Sequence, residues 1–463
     1  MNASTGPQAD RANPNALKVC KFGGTSLAQA SQIAKAAAIV RADDARAVVV
    51  PSAPGKRTPT DAKITDRLYQ CHHIAALGDD ITGVFKPVRD RFLEIAAGLG
   101  LGDQPAWLTE ALDAAAAGIA EQAAAGRDSA FAASRGEYLN GRVFAALLDW
   151  PFIDAADVVK FGRNDRLEAQ STYDAIAAAV HQVGGRAVIP GFYGSDAAGH
   201  VRTFSRGGSD VTGAIVARAL HASVYENWTD VSGLLMTDPR IVDAPATIDT
   251  LTYRELRELS YMGATVLHPE AVFPVREAGI PVHIRNTNDP DHPGTQIVAP
   301  GSEPPMDAAS FPITGIAGRK DFTIIALEKA LMNNEVGYGE KVLGVLRRAG
   351  ISFEHMPSGI DTLSIVVEDA QLEGKLDDVV ATLKREVEPD TLEVDPDLAL
   401  IATVGRNMKT HPGMAARVFG ALGQAGVNIR MIDQGSSELN IIVGVDASDF
   451  ETAVRAIYDA FVP

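Results

Sequence analysis

Apolar residues follow two rhythms along this chain. Short runs of β-forming residues occupy Leu17–Phe22, Arg46–Pro51, Ala187–Phe192, Ser223–Trp228 and Pro281–Arg285, and read as strands. Between them apolar positions recur every three or four residues. That spacing predicts helices over Ser26–Arg41, Thr65–Ala76, Val84–Gly98, Trp107–Ala125, Glu137–Leu148, Arg166–Val183, Ser209–His221, Tyr253–Met262 and Pro269–Ala278. Strands alternating with helices argue for one large α/β domain over 17–300 with a mostly parallel sheet. After the turn Gly194–Asp196, the segment Gly199–Phe204 returns as a hairpin.

The rhythm breaks over Asp289–Pro312, where Pro290, Pro293, Pro300, Pro304, Pro305 and Pro312 give a linker composition. Beyond it the sequence repeats at an offset of 76 residues: Gly337 matches Gly413, Gly344 matches Gly420, Ala349–Gly350 matches Ala425–Gly426, and Leu363 and Ile365 match Leu439 and Ile441. Each copy reads strand (Thr323–Leu327; Ala399–Val404), helix, strand (Ile351–Met356; Val427–Ile432), turn, strand, helix. Two such units fit the ferredoxin-like pattern and suggest a ligand-binding regulatory module. The expected division is a disordered leader over 1–16, the main domain over 17–300, a linker over 301–312, and the copies over 313–386 and 387–463.

Composition narrows the function. The 463 residues hold 42 Lys and Arg against 59 Asp and Glu, a net charge of −17. So acidic a chain disfavours nucleic acid as a partner, and an anionic substrate needs a local basic site. Cys20 and Cys71 form no CxxC pair, which fits idle thiols in a reducing compartment. No apolar run reaches the ~18 residues of a membrane span, and 1–16 lacks an apolar signal core. A cytoplasmic location away from membranes is expected. His72, His73 and His268 show no metal-ligand spacing, so no protein metal site is expected, and no GxSxG marks a serine nucleophile.

Candidate chemistry sits at strand-to-helix junctions. Lys21-Phe-Gly-Gly-Thr-Ser26 ends a strand on a lysine, turns at Gly23–Gly24 and opens a helix at Thr25. Paired glycines let backbone N–H groups converge on an anion, and a helix N-terminus adds partial positive charge. Thr203-Phe-Ser-Arg-Gly-Gly-Ser-Asp210 repeats the arrangement with Arg206 in front, a residue suited to gripping a carboxylate or phosphate in two places. Ser209 and Asp210 stand at the helix start, where capping is their alternative role. Two such cradles suggest phosphoryl transfer. Trp228–Arg240 runs from a strand end into a loop bearing Asp230, Asp238 and Arg240, the kind of loop that holds nucleotides. Ser134-Arg-Gly-Glu137 reads as an acid at a helix entrance, and Pro51–Lys56 as a strand-end turn.

KFGGTS (21–26), SRGE (134–137), FSRGGSD (204–210), WTDVSGLLMTDPRIV (228–242) and MGATVLHPEAV (262–272) resemble, in this order, the aspartate kinases of the amino acid kinase family, and the C-terminal repeat is similar to their tandem ACT domains. The resemblance covers about 17–460. It implies a three-layer αβα amino acid kinase fold followed by two ferredoxin-like ACT domains. It also implies transfer of the ATP γ-phosphoryl group, with Mg²⁺, to the β-carboxylate of L-aspartate, the first step towards lysine, threonine and methionine.

By the same resemblance, Lys21 neutralises charge on the transferring group while Gly23, Gly24 and Thr25 line its cradle. Asp210 orients the reacting groups. Glu137 holds the substrate ammonium and Arg206 its α-carboxylate, with Ser52, Thr65 and Ser209 as further aspartate contacts. Thr229, Asp230, Asp238 and Arg240 bind nucleotide. The ACT pair binds a regulatory amino acid, lysine or threonine, and joins two chains as a homodimer. Met332, Gly337, Tyr338, Glu354, Ser358 and Asp361 are candidate contacts, with Asn407 and Asn428 in the second copy. Two positions depart from the family pattern: Thr265 replaces a frequent Lys and Leu235 a frequent aromatic. The competing expectations are a catalytically silent amino-acid sensor and another amino acid kinase, such as one acting on glutamate. A fused homoserine dehydrogenase is not expected.

Overall fold

β1 (Lys18–Phe22) and β2 (Arg46–Pro51) form where the apolar runs predict them and are almost wholly buried. Strands apolar on both faces need cover on both, which favours the middle of a parallel sheet. The computed structural model describes residues 17–205, 207–264, 267, 269–304 and 311–462. It places these strands in a seven-stranded sheet of order β4 (Ala187–Val188), β2, β1, β7 (Val224–Thr229), β9 (Val282–Asn286), β10 (Thr295–Val298), β8 (Thr250–Thr252). Neighbours run parallel except β9 and β10. The chain leaves β1 for β2 on one side and reaches β7 on the other, so strand order reverses beside β1. In open α/β sheets the crevice at the carboxyl ends of such strands is where ligands bind.

Helices cover both faces. On one, Cys20 and Phe22 join Ile33, Ala37, Leu68, Phe92, Leu112, Leu139 and Phe144 in a core built with helices Ala30–Arg41, Ile64–Ala76, Thr82–Gly98, Ala106–Ala124 and Ala130–Leu148. The Phe22 ring stacks on Phe144 and Trp228 at 5.8 and 6.0 Å. On the other face helix Gly208–Ala219 packs against β1, β2 and β7. β3 (Lys160–Phe161), β5 (Tyr193–Asp196) and β6 (Val201–Thr203) make a small separate sheet. The expected hairpin is β5–β6, but Gly194–Asp196 is strand, and the turn comes later, at Gly199 with its φ of 80°.

Two further expectations change. The helix expected from Glu137 begins at Ala130, where the Asp128 carboxylate accepts the Ala130 N–H, so Ser134–Glu137 lies inside a helix and not at its entrance. Within the linker-like stretch, Thr295–Val298 forms β10 with Ile297 fully buried; Pro293 and Pro300 flank the ladder without interrupting it.

The chain divides into two compact units. Of the described residues, one holds those from 17 to 234 with 249–253, 267 and 269–304; the other holds 235–248, 254–264 and 311–462. The second unit carries an antiparallel five-stranded sheet of order β12 (Thr362–Glu368), β11 (Gly315–Glu328), β13 (Thr391–Val404), β15 (Asn440–Asp446), β14 (Ile429–Asp433). β11 and β13 outrun the strands expected at 323–327 and 399–404. They pair along their length, Gly315–Arg319 against Leu400–Val404 and Ile324–Glu328 against Thr391–Asp395. The strand expected at Ile351–Met356 is reduced to isolated bridges of His355 and Ser358 beside β12. Ile325, Leu327, Val342, Leu346, Ile365, Val367 and Leu383 form a core of this unit. Among the described residues no helix is long and apolar enough to cross a membrane.

Candidate active site

Lys21, next to last in β1, is 7% exposed. Its Nζ lies 2.6 Å from Oδ1 of Asp210 and 3.4 Å from Oδ1 of Asn227. Asn227 Nδ2 donates to the same Asp210 oxygen at 2.8 Å. Asp210 sits in the first turn of helix Gly208–Ala219, and Asn227 pairs with Lys21 in the β1–β7 register. The Tyr225 hydroxyl, also from β7, donates to the Asp210 carbonyl at 3.1 Å. Strand alternation turns Glu226 to the opposite face. There burial pushes its carboxyl up, but the hydrogen bond and charge of Arg46 outweigh this and hold it below the usual range.

Beyond β1 the chain turns at Gly23–Gly24. Gly23 N–H donates to the Trp228 carbonyl at 2.9 Å, and the Gly24 carbonyl accepts from Gly55 N–H at 2.8 Å. A side chain here is excluded by space: a Cβ on Gly55 would stand 2.6 Å from the Gly24 carbonyl. A Cβ on Gly23 would be 3.6 Å from Lys21 Nζ, so the ammonium lies beside the bare turn. Thr25 is exposed and opens a single 3-10 turn, Thr25–Leu27. At the second glycine pair the backbone itself requires glycine, because Gly207 has φ 55° where it leads into the helix. Ser209 is buried in that first turn, and Arg206 lies outside the described residues.

Glu137 faces the turn that follows β2. Gly136 lets its helix press so close that a Cβ there would meet that of Ala53 at 2.8 Å. The Glu137 carboxylate accepts the Ala53 N–H, yet its Oε2 is buried with no hydrogen-bond partner. Burial pushes this carboxyl up to about 8, against the pull of the Ala53 N–H and the charge of Arg135. Ser52 N–H donates to the Phe22 carbonyl, and its own carbonyl takes the Asn140 amide at 2.6 Å. Thr65 is half-buried in the first turn of helix Ile64–Ala76.

Thr229 ends β7, and its hydroxyl donates to the exposed Asp230 at 3.2 Å. Asp238 and Arg240 belong to the second unit and pair with each other at 2.6 Å. Among the described residues no group of three or more His, Cys, Asp or Glu could hold a metal ion.

The family model described as "Amino acid kinase family" matches residues 16–286, and one described as "ACT domain" matches 401–461. Aspartokinase 3 of Bacillus subtilis (strain 168) is 37% identical over 456 residues, covering 96% of this chain and 98% of that protein. The chain belongs to the aspartokinases of the amino acid kinase family. The crystal structure of the Clostridium acetobutylicum aspartate kinase matches with TM-score 0.89 and 50% identity, covering 96% of this chain and 100% of that one. Aspartokinase III of E. coli matches with TM-score 0.71 and 27% identity in its complex with aspartate and ADP, over 96% of this chain and 99% of that one. Its complex with lysine and aspartate matches with TM-score 0.71 and 28% identity, over 96% and 100%.

Within this aspartokinase fold, Lys21, Gly23, Gly24 and Asp210 come together at the end of β1, and the Glu137 carboxylate takes the N–H of Ala53, the residue after Ser52. Sequence reading missed Asn227, Tyr225 and the Ala53 N–H. Alternation along β7 is the one signal for Asn227, since it puts residues 225 and 227 on one face. In the second unit Met332 and Tyr338 are buried, and the Tyr338 hydroxyl has no partner. Gly337 precedes helix Tyr338–Ala349 with φ 86°, and the Asp361 carboxylate accepts the Leu331 N–H at 2.9 Å. Glu354 takes a hydrogen bond from Tyr261, while Ser358 is exposed. Thr265 lies outside the described residues.

Proposed function

We infer that this aspartokinase transfers the γ-phosphoryl group of ATP to the β-carboxylate of L-aspartate, giving 4-phospho-L-aspartate and ADP. A carboxylate oxygen bonds to the γ-phosphorus as the bond to the β–γ bridging oxygen breaks. A carboxylate with a pKa of about 4 is already ionised at neutral pH, so no general base is needed. The obstacle is repulsion between two anions, and fixed cations and N–H groups answer it. The observation that carries the reading is the buried, unpartnered Oε2 of Glu137, a seat for an ammonium in the same unit as Lys21 and the Gly23–Gly24 turn.

Lys21 is assigned to the transferring phosphoryl group, Gly23, Gly24 and Thr25 to its cradle, and Asp210 to orienting Lys21. Glu137 takes the substrate ammonium, Arg206 the α-carboxylate, and Ser52, Thr65 and Ser209 further aspartate contacts. Thr229 and Asp230 are assigned to nucleotide, as are Asp238 and Arg240. Mg²⁺ arrives with ATP, held mainly by phosphate oxygens and water, which suits a chain whose Asp210 carboxylate is already engaged by Lys21 and Asn227.

The second unit is proposed to bind lysine or threonine through Met332, Gly337, Tyr338, Glu354, Ser358 and Asp361, the orphan Tyr338 hydroxyl supporting a polar ligand there. Inhibition requires the effector to favour an inactive arrangement over the active one. We assign the enzyme to the cytoplasm as a homodimer joined through its ACT domains. Supplied with Mg-ATP, aspartate and hydroxylamine, it should yield the trapped acyl hydroxamate; activity on glutamate but not aspartate would overturn the substrate assignment.

A further inference from the structure

We propose that Asn227 is a positioning residue for phosphoryl transfer: its carboxamide bridges Lys21 and Asp210 and so sets the direction of the lysine ammonium. This rests on the reading of Lys21 as the cation on the transferring group. Three elements close one triangle. Lys21 comes from β1, Asn227 from β7 beside it, and Asp210 from the first turn of helix Gly208–Ala219. Asn227 is only 5% exposed, with Oδ1 towards the lysine and Nδ2 on the Asp210 oxygen that the lysine also touches.

The chemistry of the side chain fits that place. A carboxamide offers an acceptor to a cation and a donor to an anion from one rigid plane. A carboxylate there would oppose Asp210, and an aliphatic group would serve neither partner. Lysine is a point charge on a flexible stem, and one ion pair leaves it free to swing about its carboxylate. An ammonium has three donors. Asp210 and Asn227 engage two, leaving one for a phosphoryl oxygen. β7 also supplies the Trp228 carbonyl that holds Gly23, so the strand that fixes the lysine also fixes the turn beside it. Displacing a reacting group by about 1 Å costs roughly a hundredfold in rate, so this restraint acts on turnover more than on binding.

The test compares full-length Asn227→Leu and Asn227→Asp with wild type at pH 6.5 and 8.5, with kcat and both KM values taken from full titrations of each substrate. The ionisable groups facing Asn227 are Lys21 on β1, Asp210 on the helix and Tyr225 on its own strand. Asn227→Leu should lower kcat roughly tenfold or more at both pH values, leaving both KM values within about threefold. Asn227→Asp should be as slow at pH 8.5 but recover at pH 6.5. Its new carboxyl ionises late beside Asp210 and, while protonated, donates to it as the amide did. In an Asp210→Asn background, Asn227→Leu should cost less than about twofold, because the bridge has lost its anion. Wild-type kcat in Asn227→Leu, an equal cost in both backgrounds, or an Asn227→Asp variant equally slow at both pH values overturns the proposal. Lys21→Ala with near-wild-type kcat overturns instead the underlying reading of the site.

Discussion

Glu137 makes aspartate binding a proton-linked event, and the linkage has a size. Its carboxyl titrates at about 8 because it is buried. Roughly nine-tenths is therefore neutral at pH 7, whereas the substrate ammonium needs the charged form. If only the ionised carboxylate binds, the apparent KM for aspartate scales as one plus the ratio of neutral to charged Glu137. That factor falls about eightfold from pH 7 to 8.5 and about 25-fold from pH 6.5 to 8.5. At pH 7 each aspartate bound should release close to one proton, readable by titration calorimetry in buffers of different ionisation enthalpy. Saturating kcat should not follow this curve. The charged group beside the carboxyl is Arg135 on its own helix; Tyr69 on helix Ile64–Ala76 also faces it, and burial keeps that phenol neutral across this range.

Glu137→Gln should bind aspartate weakly at pH 8.5 and lose the slope. The same shift bears on stability. The folded carboxyl titrates above its unfolded value of 4.5, so its contribution is full below pH 4.5 and is lost as pH rises towards 8. Thermal melts of Glu137→Gln should accordingly depend less on pH across that window. A wild-type KM that stays flat from pH 6.5 to 8.5, or the same slope in Glu137→Gln, would refute the reasoning.

Lys21→Ala should lower kcat roughly tenfold or more, about 1.4 kcal/mol of barrier, with an unchanged circular dichroism spectrum; the hydroxylamine assay reads it directly. Gly55→Ala should destabilise the fold by about 1–3 kcal/mol in urea melts and raise KM for ATP, because the added methyl meets Gly24 backbone, which cannot rotate aside. Full-length enzyme titrated with lysine and with threonine should bind one of them, and Glu354→Gln should weaken lysine binding; unaltered binding would move the effector contacts elsewhere.

The chemistry at the end of β1 was legible because its residues adjoin in sequence. Lys21 and the glycine pair form one short motif, and buried parallel strands show as apolar runs; the helix expected from Ser26 begins only at Ala30, after a 3-10 turn over Thr25–Leu27. Glu137 reads from the sequence as an acid at a helix entrance, whereas it lies inside helix Ala130–Leu148. Only the packed structure shows Gly136 chosen to admit Ala53. β8 and β10 carry three and four residues, too few for a period, and owe their existence to the neighbours they pair with. Alternation along β7 gives the face on which Asn227 lies but not its partners, because Lys21 and Asp210 come from a strand and a helix elsewhere in the sequence. The repeat was visible, but the pairing of β11 with β13 along 14-residue strands was not, since identical offsets say nothing about which strands meet.

Charge in the site is stored until substrate arrives. The chain carries −17 overall, and both substrates are anions. Lys21 is held by Asp210, and Glu137 is largely neutral near pH 7. A permanently charged Glu137 would repel the two carboxylates of an incoming aspartate; a neutral one does not, and ionises opposite the ammonium. The amino group is then what makes rising pH favourable. Succinate, which has both carboxylates and no ammonium, should show the opposite sign. As a competitive inhibitor it should weaken from pH 7 to 8.5, while aspartate tightens, because ionised Glu137 then faces an anion without compensation. Glu137→Gln should remove both trends together. A succinate inhibition constant that falls in parallel with the aspartate KM would place the titrating group elsewhere.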